Sequence, residues 1–150
     1  MGFDFTKYNK IILVGGMGSG KSWTAKRIAE ITGYPLFHLD VEFWKPDWIM
    51  SPHEEKIAKL QEIIIGEKWI IDGNYGSTME IRFAAADLII FLDVNRFVCM
   101  WSAAKRTGKK RSDLPDYLEE PKVFSREFFG ILKYMRQVRK TGGKKDYVSA

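Results

Sequence analysis

Ile11-Ile12-Leu13-Val14-Gly15-Gly16-Met17-Gly18-Ser19-Gly20-Lys21-Ser22 is the stretch on which the fold turns. Four aliphatic residues run straight into G-x-x-x-x-G-K-S, and a helical pattern begins at Lys21. Strand, glycine-rich loop and helix in that order make a phosphate-binding loop. Glycines let successive backbone N–H groups converge on one anion, assisted by the positive end of the following helix. Gly15, Gly16, Met17, Gly18, Ser19 and Gly20 therefore read as the cradle. Lys21 reaches the β- and γ-phosphates, Ser22 offers a hydroxyl to Mg²⁺, and Trp23 adjoins them on the nucleotide side. Gly16-x-Gly18-x-Gly20 also imitates a dinucleotide fingerprint, with Asp40 about twenty residues on as its acidic partner. Lys21-Ser22 decides against that reading, because a dinucleotide site has no use for the pair.

Outward from this loop, short apolar runs alternate with helical patterns. Residues 10–14 form the first strand, covered on both faces. Lys21 to Ile31 is a helix with Trp23, Ile28 and Ile31 as buried positions, stopped by Gly33 and Pro35. Tyr34 to Leu39 is a second strand ending at Asp40, followed by a loop with Trp44, Pro46 and Trp48. Ser51 caps the next helix, with Pro52 at its first position and Glu54 at its third. Ile57, Leu60, Ile63 and Ile64 supply its apolar face, and Gly66 ends it. Lys68 to Ile71 is a third strand closing on Asp72-Gly73-Asn74-Tyr75. Ser77 to Ala86 is a short helix, and Leu88 to Leu92 a fourth strand ending at Asp93. Arg96 to Arg106 is helical, Thr107 to Leu118 a basic loop, and Pro121 to Arg139 a long amphipathic helix. Lys140 to Lys145 breaks the pattern before Tyr147-Val148, the start of a fifth strand. This alternation specifies an α/β fold with a parallel sheet and ligands beyond the carboxyl ends of its strands. Stopping at Ala150, the chain lacks a finished fifth strand and closing helix, which points to a truncated C-terminus.

With 150 residues, 45% hydrophobic and 29% charged, the chain reads as one globular domain. It contains no apolar run of membrane-spanning length and no apolar signal segment ahead of the first strand. The single cysteine, Cys99, excludes an internal disulfide and reads as a buried small hydrophobe, so a reducing cytoplasmic setting is expected. The net charge of +5 is uneven: residues 1–100 carry 11 basic and 13 acidic side chains, residues 101–150 carry 13 and 6. Cations that close over phosphates explain this more economically than nucleic acid or an anionic membrane.

Phosphoryl transfer needs a cradle, Mg²⁺, cations and a means of orienting the acceptor. Asp93, Asp72 and Asp40 all end strands where a carboxylate could hold magnesium through water. Ser22, Asp93 and Asp40 are taken as the metal set, although Asp93 could equally cap the helix entered at Arg96. Asp40 is assigned to the acceptor side, where it accepts a proton or orients a hydroxyl. Asp72, Asn74 and Tyr75 read as substrate contacts, with an Asx-turn as the plainer alternative for Asp72. Arg82, in an otherwise apolar stretch, reads as a bidentate clamp on an anionic substrate or else as half of a salt bridge. Trp44 and Trp48 could stack on a planar substrate or pack the core. His38 and His53 make no metal cluster and read as hydrogen-bonded structural residues. Lys105, Arg106, Lys109, Lys110 and Arg111 would supply a closing lid.

The chain resembles the nucleoside-monophosphate-kinase-like P-loop proteins, the group described as adenylate kinase-related or topology modulation proteins. The resemblance rests on the loop of Gly15 to Ser22, His38-Leu39-Asp40 with Trp44-Lys45-Pro46-Asp47-Trp48 behind it, Trp69-Ile70-Ile71-Asp72-Gly73-Asn74-Tyr75, Arg82, and Phe91-Leu92-Asp93. These cover most of residues 10–111. It implies a three-layer α/β/α P-loop NTPase fold in one kinase domain, its core at 10–104 and 121–150. An acceptor segment near 40–66 and a lid near 105–120 complete that layout. It further implies ATP and Mg²⁺, with Lys21, Asp40, Arg82, Arg106 and Arg111 as the catalytic set and a nucleoside monophosphate as acceptor. Lys109 and Lys110 depart from the group's arginine-rich lid, keeping charge but losing bidentate geometry. A kinase of a small hydroxylated metabolite is the alternative. A regulatory ATPase or GTPase without an acceptor is another, although no Asn-Lys-x-Asp run for guanine is present. Oligomeric state is left between monomer and homodimer.

Overall fold

The computed structural model describes residues 3–46 and 49–106, apart from the side chains of Arg96, Ala103 and Arg106. The expected basic loop, long amphipathic helix and fifth strand, together with Trp48 and Arg111, lie outside the described residues.

Four parallel strands form the sheet: β1 (Lys10–Gly15), β2 (Leu36–His38), β5 (Trp69–Asp72) and β6 (Leu88–Leu92), in the order β2-β5-β1-β6. Its helices are α1 (Lys21–Thr32), α2 (Leu39–Glu42), α3 (His53–Ile64), α4 (Met79–Ala85) and α5 (Arg96–Arg106). A separate antiparallel ribbon joins β3 (Trp44–Lys45) to β4 (Ile49–Met50).

Alternation along β1 and β5 divides the interior into two cores, giving a three-layer α/β arrangement. Ile11, Leu13 and Ile70 pack with Ala25 and Ile28 of α1. Ile12, Val14, Trp69 and Ile71 face the opposite way, onto Leu39, Phe43 and the Leu60 and Ile63 of α3. Each Ile, Leu, Val or Phe among them, fully buried, contributes roughly 1.5–3 kcal/mol. The two central strands are therefore the fixed frame on which the loops at their carboxyl ends are hung.

Several expectations are corrected. Trp23 and Ile31 are exposed, at 71% and 59%. The inward face of α1 is the Ala25–Ile28 pair, and Trp23 lies nearly opposite it at helical spacing. The second strand stops at His38, and Asp40 sits in the first turn of α2 instead of closing the strand. Leu39 and Phe43, both wholly buried, explain the turn: four residues apart, they reach the core together only if the chain coils. In α3, Pro52 occupies the cap position with no side-chain cap bond, so Ser51 does not cap it. The helix expected from Ser77 starts as a 3-10 turn at Gly76–Thr78 before α4. In β6 only alternate residues are shielded, with Ile89 and Phe91 exposed. Among the described residues, no helix is long and apolar enough to cross a membrane.

Candidate functional site

Between β1 and α1 the chain adopts left-handed backbone at Gly18 (φ 82°) and Gly20 (φ 89°). A side chain at Gly20 would meet nothing, so conformation alone demands glycine there. Gly18 is constrained twice, because a Cβ there would collide with the Cys99 carbonyl oxygen of α5. Gly20 caps α1, whose first N–H groups have no helical partner. The turn is closed by Ser19 N–H donating to Gly16 O (3.2 Å) and Thr24 N–H donating to Gly20 O (2.9 Å). Lys21 Nζ donates to Gly16 O at 2.9 Å, folding the ammonium over the loop that it would leave for a phosphate. Ser19 Oγ is buried with no hydrogen-bond partner among the described residues.

Asp72 ends β5 beside the loop strand, in register with Leu13. It is 5% exposed; His38 Nδ1 lies 3.0 Å from its Oδ2, while its buried Oδ1 has no hydrogen-bond partner among the described residues. A buried carboxylate oxygen with nothing to accept from is costly unless a ligand or water completes it. Asp93 by contrast is exposed beyond β6. The cap of α5 is Asn95, whose Oδ1 accepts from Phe97 N–H at 2.9 Å. Asp93 thus has neither of the structural marks that Asp72 carries.

Asn74 is the residue whose role the sequence reading missed. Its Oδ1 accepts from Gly15 N–H (3.1 Å) and its Nδ2 donates to Gly15 O (2.8 Å). The backbone ladder between β1 and β5 ends with Gly73 N–H donating to Leu13 O, and the Asn74 amide supplies one further rung. An amide two residues past a central strand was the available signal. Asn74 is therefore engaged with the loop's first residue instead of standing open to a substrate.

Tyr75 points the other way. Its hydroxyl donates to Asp40 Oδ1 (2.7 Å) and accepts from Trp44 Nε1–H (2.5 Å), and its ring meets Phe43 edge-on at 5.0 Å. Asp40 is exposed and its carboxylate is oriented by this contact. Asp40, Trp44 and Tyr75, three of the seven residues the sequence offers as substrate contacts, are thus hydrogen-bonded to one another.

Arg82 is wholly buried, which removes it from any open anion site in this structure. Nη1 donates to Gly73 O (2.8 Å), and Nη2 to Asn74 O (2.5 Å) and Tyr75 O (3.1 Å). Burial pushes its pKa down to about 10. Among the described residues it makes no salt bridge, and the guanidinium binds backbone carbonyls where the sequence suggests an anionic substrate. Arg106 is the last residue of α5. Cys99 is buried at 2% exposure with its thiol 3.5 Å from Val94 O, as expected of a packing residue. No group of three or more potential metal-ligating His, Cys, Asp or Glu side chains occurs among the described residues.

No protein-family model matches the chain, and no curated protein matches it significantly. Among solved structures it is similar to a gluconokinase from Sinorhizobium meliloti 1021. The two are 18% identical with a TM-score of 0.48, over 89% of this chain and 97% of that one.

Proposed function

We propose that this chain is a P-loop phosphotransferase that moves the terminal phosphoryl group of a Mg–nucleoside triphosphate, ATP by preference, to a hydroxyl of a small metabolite. One observation carries the reading: a left-handed glycine loop with Lys21 folded over it lies beside a strand ending in the half-satisfied carboxylate of Asp72. The loop amides and Lys21 bind and orient the phosphates. Ser22 and, through water, Asp72 suit a magnesium ion, which supplies charge neutralisation between the phosphoryl oxygens. The buried Oδ1 of Asp72, without a hydrogen-bond partner among the described residues, favours it over Asp93 and Asp40 for that place.

On the acceptor side, the described residues support a hydroxyl over a phosphate. Arg82, the cation that an anionic acceptor would need, is buried against carbonyls. Asp40 instead presents an oriented carboxylate, which repels an anion and accepts a proton from an alcohol.

The test is ADP release from Mg-ATP across a panel of polyols, sugar acids, nucleosides and nucleoside monophosphates. Lys21→Ala and Asp40→Asn proteins run beside the wild type. Hydroxylated acceptors are expected to stimulate turnover, and Asp40→Asn to lose that stimulation while still binding ATP. Stimulation by nucleoside monophosphates alone would return the reading to a nucleotide kinase. Hydrolysis that no acceptor stimulates would favour a regulatory ATPase.

A further inference from the structure

The Gly73-Asn74-Tyr75 turn reaches toward both halves of the site, and two buried side chains hold it: Thr78 Oγ1–H donates to Tyr75 O at 3.1 Å, and Arg82 spans the whole turn. Asn74 grips both backbone groups of Gly15 in the phosphate loop. The next residue, Tyr75, grips Asp40 and is gripped by Trp44. Arg82 takes the carbonyls of all three turn residues on two guanidinium nitrogens. Tyr75 meanwhile sits at φ 25°, ψ 79°, backbone that a non-glycine residue keeps only when its surroundings hold it. A planar fork with fixed donors can restrain three successive carbonyls as a unit, which a flexible ammonium cannot.

Burying a guanidinium is unfavourable, and among the described residues no carboxylate lies within ion-pair distance of Arg82. Packing alone would be served better by an apolar side chain of that volume. The charge is retained against a penalty, and what it secures is the geometry of this turn.

Resting on the phosphotransferase reading, we propose that Arg82 is a positioning residue. Through the Gly73–Tyr75 turn it fixes the spacing between the phosphate loop and the acceptor-side carboxylate of Asp40. It touches neither nucleotide nor acceptor. Asn74 is its arm to the nucleotide and Tyr75 its arm to the acceptor.

The experiment measures calorimetric affinity for Mg-AMPPNP and follows the Trp44 indole N–H resonance, assigned by substitution, during the titration. In wild type, nucleotide binding at the loop is expected to shift that resonance through the turn. Arg82→Lys, checked for an intact fold by its melting midpoint, is expected to weaken Mg-AMPPNP binding roughly fivefold or more. It is also expected to abolish the Trp44 shift. Asn74→Ala should do the same, and adding it to Arg82→Lys should cost little more, since both remove one connection. Tyr75→Phe should move the Trp44 resonance at rest and leave affinity within twofold.

Arg82→Lys that binds within twofold of wild type and keeps the Trp44 shift overturns the proposal. So does an additive double variant. Should Arg82→Lys fail to fold, Asn74→Ala decides alone: binding within twofold and a retained Trp44 shift defeat the proposal. Wild-type protein that binds no Mg-AMPPNP overturns the phosphotransferase reading and this inference with it, a result distinct from binding that the variants leave unchanged.

Discussion

His38 and Asp72 are register partners at the carboxyl ends of two neighbouring strands, and their side chains meet at 3.0 Å through Nδ1 and Oδ2. The imidazole occupies one carboxylate oxygen and fixes the plane of the other, leaving Oδ1 as the remaining acceptor beside the loop strand. Asp72→Asn is expected to lower phosphoryl transfer roughly a hundredfold or more, because a neutral amide holds magnesium-bound water poorly. His38→Ala leaves the carboxylate but unfixes it, so a loss of about tenfold in magnesium affinity is expected. Magnesium titrations of turnover at saturating ATP separate the two. Equal magnesium dependence in wild type and Asp72→Asn would move the metal to Asp93 or Asp40.

Gly18 and Gly20 share a left-handed backbone but differ in their surroundings, which makes them a matched pair. Gly20→Ala is expected to destabilise by about 1–2 kcal/mol, the conformational penalty alone, since its Cβ would stand in open space. Gly18→Ala adds a collision with the Cys99 carbonyl and should cost more, displacing α5 from the loop. Urea midpoints of the two variants measure the difference. Equal midpoints would mean that α5 does not rest on the phosphate loop.

Much of the frame was legible because its signals are local. The apolar run at Ile11–Val14, the glycine spacing and Lys21-Ser22 specify strand, loop and helix without knowledge of the rest. Partners distant in sequence were not legible. Arg82 looked like an anion clamp because an arginine among alanines gives no sign that three carbonyls lie nine, eight and seven residues behind it. Asp40 reads as a strand end because Leu39 continues the apolar run of the strand, and nothing local links it to Phe43, the buried partner that coils the chain. Asn74 looked like a substrate ligand, and only the strand order brings it to Gly15.

Lys21 offers a separation of affinity from stability. Its ammonium bonds the Gly16 carbonyl at the surface, and the residue has further contacts, so removing it should cost no more than about 1 kcal/mol of stability. Binding is another matter, because on the proposed reading the ammonium turns from the loop to the phosphates. Lys21→Met is expected to weaken Mg-ATP binding at least tenfold and to lower turnover further, as the charge on the migrating group grows. Calorimetry and single-turnover rates on the same preparation test this. Unchanged affinity would mean that Lys21 stays on Gly16.

Tyr75 and Asp40 should separate binding of the acceptor from its activation. Tyr75→Phe leaves the carboxylate in place but removes the hydroxyl that aims it, and also strips Trp44 Nε1–H of that acceptor. A rise in acceptor KM with a modest fall in kcat is expected, and a stability loss of about 1 kcal/mol. Asp40→Asn keeps an oxygen for the Tyr75 hydroxyl but can no longer take a proton, so kcat should fall by roughly a hundredfold with KM little changed. Steady-state kinetics with the best acceptor of the panel, at saturating Mg-ATP, distinguish these patterns. If Asp40→Asn instead raised turnover with an anionic acceptor, the carboxylate would be a repulsive gate, and proton acceptance would have to come from elsewhere.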